Sequence, residues 1–163
     1  MLLYLESTLN LSGSFVTTPE EGVVKDNVLE PSLLEGKETT EPQKKITVDN
    51  IINNPNPELG MGASLACGIR HILGRGHSKT SILLGDMPFV TPNYIQKLIK
   101  HSSRSDITYS QNRERDMPPA IFKGEAMEAL TSLTGDKGAQ SLDLSNFKTR
   151  RLQLPDEMAR DMD

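Results

Sequence analysis

The sequence predicts an α/β fold with a mostly parallel sheet and helices on both faces, and three observations support this prediction. Short runs of apolar and β-branched residues alternate along the chain with segments whose apolar residues recur at helical spacing. Loops rich in glycine, proline and asparagine separate them. The run "TSILL", residues 80–84, has neither charge nor alternation, which is typical of a strand buried on both faces. This order of elements is typical of βαβ units, in which the strands run parallel.

The composition is that of a polar globular domain. The chain has 163 residues and a formal net charge of −4, with lysine and arginine dispersed along it, so we expect no nucleic-acid partner. Its single cysteine, Cys67, excludes an intramolecular disulfide and suits a reducing cytoplasm. Because no apolar run is long enough for a signal peptide or a transmembrane helix, we expect a cytoplasmic protein without a membrane partner.

The first 45 residues are predicted to be a divergent, polar and poorly ordered segment, followed by an α/β domain over residues 46–163. Residues 17–45 are rich in glutamate, threonine, proline and lysine and show weak periodicity, as in solvated connections. Before them, Leu2, Leu5 and Leu9 lie at helical spacing, which predicts a short amphipathic helix.

From residue 46 onwards the elements alternate regularly. A β-branched run predicts a strand at 46–52, and Leu65, Ile69 and Ile72 share one face of a predicted helix. Thr91 followed by a proline is typical of a helix N-cap. The remaining predictions are strands at 106–110, 118–122 and 150–154, helices at 124–133 and 136–144, and a closing helical turn at 155–162.

A glycine and an aspartate follow the buried run at 80–84. In open α/β sheets, ligands bind at the carboxyl ends of the strands, which is where Gly85 and Asp86 fall. A carboxylate there suits a hard cation with oxygen ligands, and the glycine leaves room for a close ligand. The alternative is that Asp86 only caps a turn or the next helix. The local pattern leaves both interpretations open.

A second candidate is the loop that enters the helix near residue 61. Gly60, Met61, Gly62 and Ser64 lie where unpaired backbone N–H groups and the helix dipole favour an anion. The glycines let a ligand approach the main chain, and the serine adds a hydroxyl donor. The alternative is a flexible loop before an ordinarily capped helix, which needs no ligand.

The stretch "TGDKGAQSL" is a third candidate. Lys137 near the start of a helix is long enough to reach a phosphate. The residues alone favour another interpretation, in which Gly135 ends one helix and Asp136 caps the next.

Taken in order, "NPNPELGMGASLACGI", "ILLGDMPFVTPNYIQKLI" and "IFKGEAMEALTSLTGDKGAQSL" resemble the MobA-like nucleotidyltransferases. The resemblance covers residues 46–145 and is strongest to the molybdenum cofactor cytidylyltransferases, because that branch has Gly-Met-Gly-x-Ser-Leu, then Gly-Asp-x-Pro, then Gly-Asp-Lys-Gly-Ala.

The resemblance implies a Rossmann-like domain that transfers CMP from CTP, or a nucleotidyl group from another NTP, to a molybdopterin-type phosphorylated acceptor with Mg²⁺. It implies that Asp86 is the catalytic, metal-binding aspartate. The remaining residues that it assigns to the nucleotide and acceptor site are Gly60, Met61, Gly62, Ser64, Gly85 and Lys137.

The sequence also departs from this family. The family begins with a strand and a glycine-rich loop that carries an arginine and a lysine for the triphosphate, and nothing in residues 1–45 matches it. We therefore expect a sheet that is incomplete at the amino terminus. If Pro155 aligns with the family's proline, Gln153 replaces an aspartate near the second metal position.

These departures leave the activity open. The alternative function is a non-catalytic nucleotide-binding or interaction module, which would associate with itself or with a full-length relative through an exposed sheet edge. A dinucleotide-dependent oxidoreductase is disfavoured, because no G-x-G-x-x-G follows a strand.

Overall fold

The computed structural model describes residues 2–6, 12–17, 47–136, 138–143 and 145–160. They form an α/β fold, which confirms the predicted fold class. The strands are β1 Leu2–Glu6, β2 Ser12–Thr17, β3 Thr47–Asn53, β4 Lys79–Leu84, β5 Ile107–Asn112, β6 Arg115–Lys123 and β7 Thr149–Gln153, and the helices are α1 Met61–Gly74, α2 Pro92–His101 and α3 Glu125–Ala129. Short 3-10 turns lie at Pro57–Leu59, Ser102–Arg104, Leu130–Ser132 and Gly138–Ser141.

The strands of the described residues form one seven-stranded sheet in the order β3-β2-β1-β4-β6-β5-β7. Strands β2 and β3 are parallel, as are β5 and β7, whereas β1 and β6 are antiparallel to their neighbours. Within this described sheet, five strands therefore run in one direction and only β1 and β6 run against them. The prediction of a mostly parallel sheet holds for strand direction, although most neighbouring pairs are antiparallel.

Strand β1 lies between β2 and β4, with Leu2 opposite both Val16 and Leu84. The sequence predicted a sheet that is incomplete at the amino terminus, and both β1 and β2 take part in the described sheet. The predicted helix is wrong for residues 2–6, because a short apolar run fits either periodicity and pairing with two neighbours decides for the strand. Leu9 lies outside the described residues. Strands β1 and β2, which precede residue 45, thus pair with strands that follow it. The predicted division of the chain at residue 45 stays a prediction.

Other elements also differ from their predictions, and the helix predicted at 136–144 is described only as the 3-10 turn Gly138–Ser141. The strand predicted at 118–122 is longer, because β5 and β6 form a hairpin whose turn residues Arg113 and Glu114 have φ of 46° and 67°. Such a turn usually contains asparagine or glycine, so these two residues are no signal for a hairpin. The helix predicted at 124–133 ends its α-helical part at Ala129 and continues as a 3-10 turn.

The core lies between the sheet and the pair α1 and α3. Leu65, Ile69 and Ile72 of α1 are buried against sheet residues that include Ile82 and Phe122. Ile121 is also fully buried, and its side chain points to the opposite face because successive strand residues alternate. Helix α2 contacts β5, β6 and β7, so helices cover both faces, as predicted.

Candidate functional site

The predicted metal ligand lies on a turn at the end of β4. The amide of Met87 donates to the carbonyl of Leu84 over 3.4 Å, and the Met87 side chain is buried in a small cluster with Tyr94 and Leu154. Gly85 and Asp86 are exposed at the top of this turn. Among the described residues, no side chain pairs with the Asp86 carboxylate. The buried Met87 side chain therefore fixes the turn, while the carboxylate of Asp86 stays open to solvent.

Helix α2 holds this turn from the other side. The hydroxyl of Thr91 accepts from the Tyr94 amide over 3.3 Å, which confirms the predicted N-cap. The Tyr94 hydroxyl donates to the carbonyl of Leu152 over 3.1 Å and so ties α2 to β7. Burial raises the pKa of Tyr94, and a hydrogen bond with Ser110 opposes this rise. The tyrosine thus anchors the helix that follows Asp86.

The loop that enters α1 is bound by a distant part of the chain. The amide of Gly62 donates to the carbonyl of Gly135 over 2.7 Å, and the amide of Gly135 donates to the carbonyl of Leu59 over 3.0 Å. These two bonds join the "GMGASL" and "TGDKGA" segments. The structure therefore brings together two of the three sequence motifs.

Close packing explains the glycines of this loop. A Cβ atom on Gly60, whose φ is +87°, would lie 2.4 Å from Oδ1 of Asp136, and one on Gly62 would lie 2.9 Å from the carbonyl oxygen of Gly135. Both distances are too short for a side chain. The Asp136 carboxylate also brings negative charge to the amino end of α1, where the helix dipole favours it. Part of the predicted anion site is thus satisfied by the chain itself.

Ser64 contributes to the same loop. Its hydroxyl accepts from Nδ2 of Asn54 over 2.8 Å, and Oδ1 of Asn54 accepts from the Asn56 amide over 3.0 Å. Asn54 is only 3% exposed. Asn54 was not among the predicted site residues, although the Asn-Pro dipeptide that contains it is part of the quoted motif. Asn54 and Ser64 together link the end of β3 to α1.

Exposed apolar side chains follow both β3 and β4 at this edge of the sheet. Among the described residues, the large hydrophobic side chains that are exposed are Leu59, Met61 and Phe89, each close to 50%. Leu59 and Met61 follow β3, and Phe89 follows β4. The two strands run in the same direction and lie three positions apart, about 14 Å. The sequence missed Phe89, which follows Asp86 by three residues.

Lys137, the remaining candidate, lies outside the described residues. Its neighbour Asp136 lies against Gly60, and a Cβ atom on Gly138 would lie 3.3 Å from the sulfur of Met61. The role of Lys137 stays a prediction.

A second carboxylate lies at the same edge of the sheet, after β7. Asp156 accepts from Nδ2 of Asn112 over 2.7 Å and pairs with Arg113 over 3.1 Å. These partners, Asn112 first, lower the pKa of Asp156. Gln153 is exposed, and its side-chain Nε2 donates to the carbonyl of Leu154 over 3.4 Å. Asp156 is therefore already engaged, in contrast to Asp86.

The sequence pattern of the MobA-like NTP transferase domain matches residues 36–149. The chain belongs to the MobA-like NTP transferase family. The matched region contains all three motifs, so the family resemblance seen in the sequence is confirmed. The match does not distinguish the cytidylyl branch of the MobA-like family.

Solved structures share the fold of this MobA-like chain. Rv0371c from Mycobacterium tuberculosis H37Rv superposes with a TM-score of 0.53 and 22% identity, over 66% of this chain and 55% of that chain. Its homologue from Mycobacterium sp. strain JC1 gives 0.53 and 20%, over 76% and 59%. Rv0371c in complex with manganese gives 0.55 and 16%, over 86% and 67%.

This chain thus spans between 55% and 67% of the length of these structural neighbours. At such identities the likeness shows the fold alone. No curated protein matches the sequence significantly. Every helix in the described part of the chain is too short or too polar to cross a bilayer.

Proposed function

We propose that this chain binds a nucleoside triphosphate with a divalent metal at Asp86 and transfers its nucleotidyl group to a phosphorylated acceptor. The observation that carries the proposal is an exposed, unengaged carboxylate at the carboxyl end of β4, held by the buried Met87 beneath it. The family is one of NTP transferases. The motif order favours CTP as donor and a molybdopterin-type acceptor, and a cytoplasmic location belongs to the same proposal.

The donor chemistry of the site fits a magnesium-type ion. Within the described residues, no three His, Cys, Asp or Glu side chains form a complete metal cage. Mg²⁺ commonly uses one or two carboxylates and takes its other ligands from phosphate oxygens and water. A single open aspartate suits this mode. The manganese complex of the structural neighbour Rv0371c supports a divalent ion without specifying magnesium.

In the proposed reaction, an oxygen of the acceptor phosphate attacks the α-phosphorus of the nucleotide. The new phosphorus–oxygen bond forms as the bond to the β-phosphate oxygen breaks, and pyrophosphate leaves. A bound divalent ion supplies positive charge against the phosphate oxygens. Asp86 holds that ion, Gly85 leaves space beside it, and the exposed Met61 and Phe89 offer apolar surface to flat rings.

A tryptophan reporter tests this proposal directly. The chain contains no tryptophan, so Phe89→Trp gives a single tryptophan, near Asp86, whose emission can be excited selectively. We expect CTP to quench it only when Mg²⁺ or Mn²⁺ is present, and Asp86→Asn in the same background to abolish the effect. Gln96→Trp, on the exposed side of α2, is the matched control and should not respond. Quenching that occurs without a divalent metal and persists in Asp86→Asn would overturn the metal assignment.

One observation favours the alternative function, a non-catalytic nucleotide-binding or interaction module. Strand β1 runs antiparallel to β4, with Leu2 opposite Leu84 and Glu6 opposite Thr80. The carboxyl end of β1, at Glu6, therefore lies at the edge away from Asp86, whereas the family resemblance expects a triphosphate loop after the first strand. Pyrophosphate release from CTP separates the two functions, since the alternative predicts binding without release. Light scattering tests the self-association that it also predicts.

A further inference from the structure

The hairpin of β5 and β6 has its turn at the same edge of the sheet as Asp86. Strand β6 pairs with β4 and runs against it, so β6 begins at Arg115 on the edge where β4 ends at Leu84. Neighbouring strands lie about 5 Å apart. The first residues of β6 are therefore close to the turn that contains Asp86, although the proposed metal site uses none of them.

Arg115 lies on the same face of the sheet as this turn. The Met117 side chain packs against the cluster of Met87 and Tyr94, on the face that α2 covers. Arg115 precedes Met117 by two residues in an unbroken part of the β5–β6 ladder, so its side chain points to that face too. Two residues span about 7 Å along a strand. Arg115 therefore lies beyond Met117 at the edge, beside the Asp86 turn.

The neighbouring arginines of the hairpin and of β7 have carboxylate partners. Arg113 pairs with Asp156 over 3.1 Å. Arg151 donates to the carboxylate of Asp116 from Nε and from Nη2, each over 2.8 Å. Because successive strand residues alternate, this second pair lies on the face opposite the Arg115 side chain. Both guanidinium groups are thus already engaged within the protein.

Arg115 differs from these two arginines. Its side chain is exposed. Within the described residues its guanidinium forms no ion pair, even with the adjacent carboxylate of Glu114. A guanidinium offers five N–H donors in a rigid fork, which binds phosphate oxygens in pairs. Arg115 therefore has its donors available for an anion beside Asp86.

The backbone around Arg115 is held by the segment that follows β7. The amide of Leu154 donates to the carbonyl of Gln111 over 2.8 Å. The side chain of Asn112, which is paired with Arg115 across the hairpin, donates to Asp156 over 2.7 Å. The hairpin is thus fixed on its β5 side. A residue on a fixed backbone loses less freedom when it binds a ligand, which favours affinity.

We propose that Arg115 binds the β- and γ-phosphates of the nucleotide whose metal Asp86 holds, an inference that rests on the proposed function. The two residues lie at the ends of neighbouring strands, so one triphosphate can contact both. When the bond from the α-phosphorus to the β-phosphate oxygen breaks, negative charge develops on the departing pyrophosphate. The guanidinium of Arg115 stabilises that charge, as well as the bound triphosphate.

Calorimetric titration with CTP and with CMP, each with Mg²⁺, tests this role. We expect Arg115→Gln to weaken CTP binding about tenfold or more, because a charged hydrogen bond is lost. The affinity for CMP should not change, since CMP lacks the β- and γ-phosphates. Equal CTP affinity in the wild type and Arg115→Gln would overturn the proposal. Equal losses for CTP and CMP would overturn it too, because Arg115 would then act on another part of the nucleotide.

Two further variants separate this inference from the proposed function. Arg104→Gln removes the same charge from an exposed position before β5, at the opposite edge, and should leave CTP binding unchanged. CTP binding that is weakened in Arg115→Gln and unchanged in Asp86→Asn would support Arg115 and contradict the metal assignment. The reverse result would overturn the role of Arg115 alone. A folded wild type that does not bind CTP would overturn both.

Discussion

Two loops at the same edge of the sheet contain similar glycine motifs but differ in what surrounds them. The loop that enters α1 is packed against Thr134, Gly135 and Asp136, which leave no space for side chains at Gly60 and Gly62. The turn after β4 places Gly85 and Asp86 in solvent above a buried methionine. The first loop therefore stabilises the fold with its glycines, whereas the second leaves a carboxylate open to solvent.

The largest effect should come from crowding the packed loop. Gly62→Ala places a methyl group 2.9 Å from backbone atoms, and Gly60→Ala adds an unfavourable positive φ. We expect a loss of about 2–4 kcal/mol in the free energy of unfolding, measured in urea. Gly74→Ala, in the same helix, is the control because its methyl group meets no atom within 4 Å. Equal losses at positions 62 and 74 would contradict the packing explanation.

Ser64→Ala should also act on stability. It removes the acceptor of the buried Asn54 side chain and should cost about 1–3 kcal/mol. The family resemblance instead implies that Ser64 belongs to the nucleotide and acceptor site, in which case this change would weaken ligand binding. Thermal unfolding and CTP titration of the same variant separate the two roles. An unchanged thermal midpoint together with weakened CTP binding would show that Ser64 contacts the ligand and does not stabilise the loop.

Tyr94→Phe should lower the free energy of unfolding by a smaller amount, through the contacts that hold the turn at Asp86. The lost hydrogen bond to Leu152 should cost about 1 kcal/mol. Because the pKa of Tyr94 is raised in the folded protein, an unfolded chain loses this proton first, near pH 10. The contribution is complete below that pH and declines as the pH rises further. Urea unfolding between pH 8 and 11, run on both proteins, should show a shallower decline for the variant; parallel curves would contradict it.

The smallest effect on stability should follow Asp86→Asn. The carboxylate is exposed and has no partner within the described residues, and surface changes of this kind usually shift stability by less than about 0.5 kcal/mol. A large loss in urea unfolding would show that Asp86 stabilises its turn, which was the alternative interpretation of the sequence.

The sequence predicted most elements after residue 46 because their signals are local. Apolar periodicity marked α1, and Thr91 with Pro92 marked the start of α2. Strand β1 was missed because a short apolar run is ambiguous without its neighbours. The hairpin before β6 was missed because Arg113 and Glu114 are unusual turn residues.

The geometry of the candidate site could be predicted only in part. Because Asp86 follows a buried strand in the sequence, its position at the sheet edge was predicted correctly. The bonds from Gly62 to Gly135 and from Ser64 to Asn54 depend on tertiary packing, which a single sequence does not encode locally. The position of Arg115 beside the Asp86 turn likewise depends on β6 running antiparallel to β4.

The central claim, that the open aspartate at the end of β4 holds the metal of a bound nucleotide, is tested most directly by calorimetry. CTP is titrated into wild type and Asp86→Asn, each with and without Mg²⁺, after urea unfolding shows that both are folded. We predict metal-dependent binding to the wild type and its loss in the variant at unchanged stability. Equal, metal-independent binding by both proteins would contradict the claim.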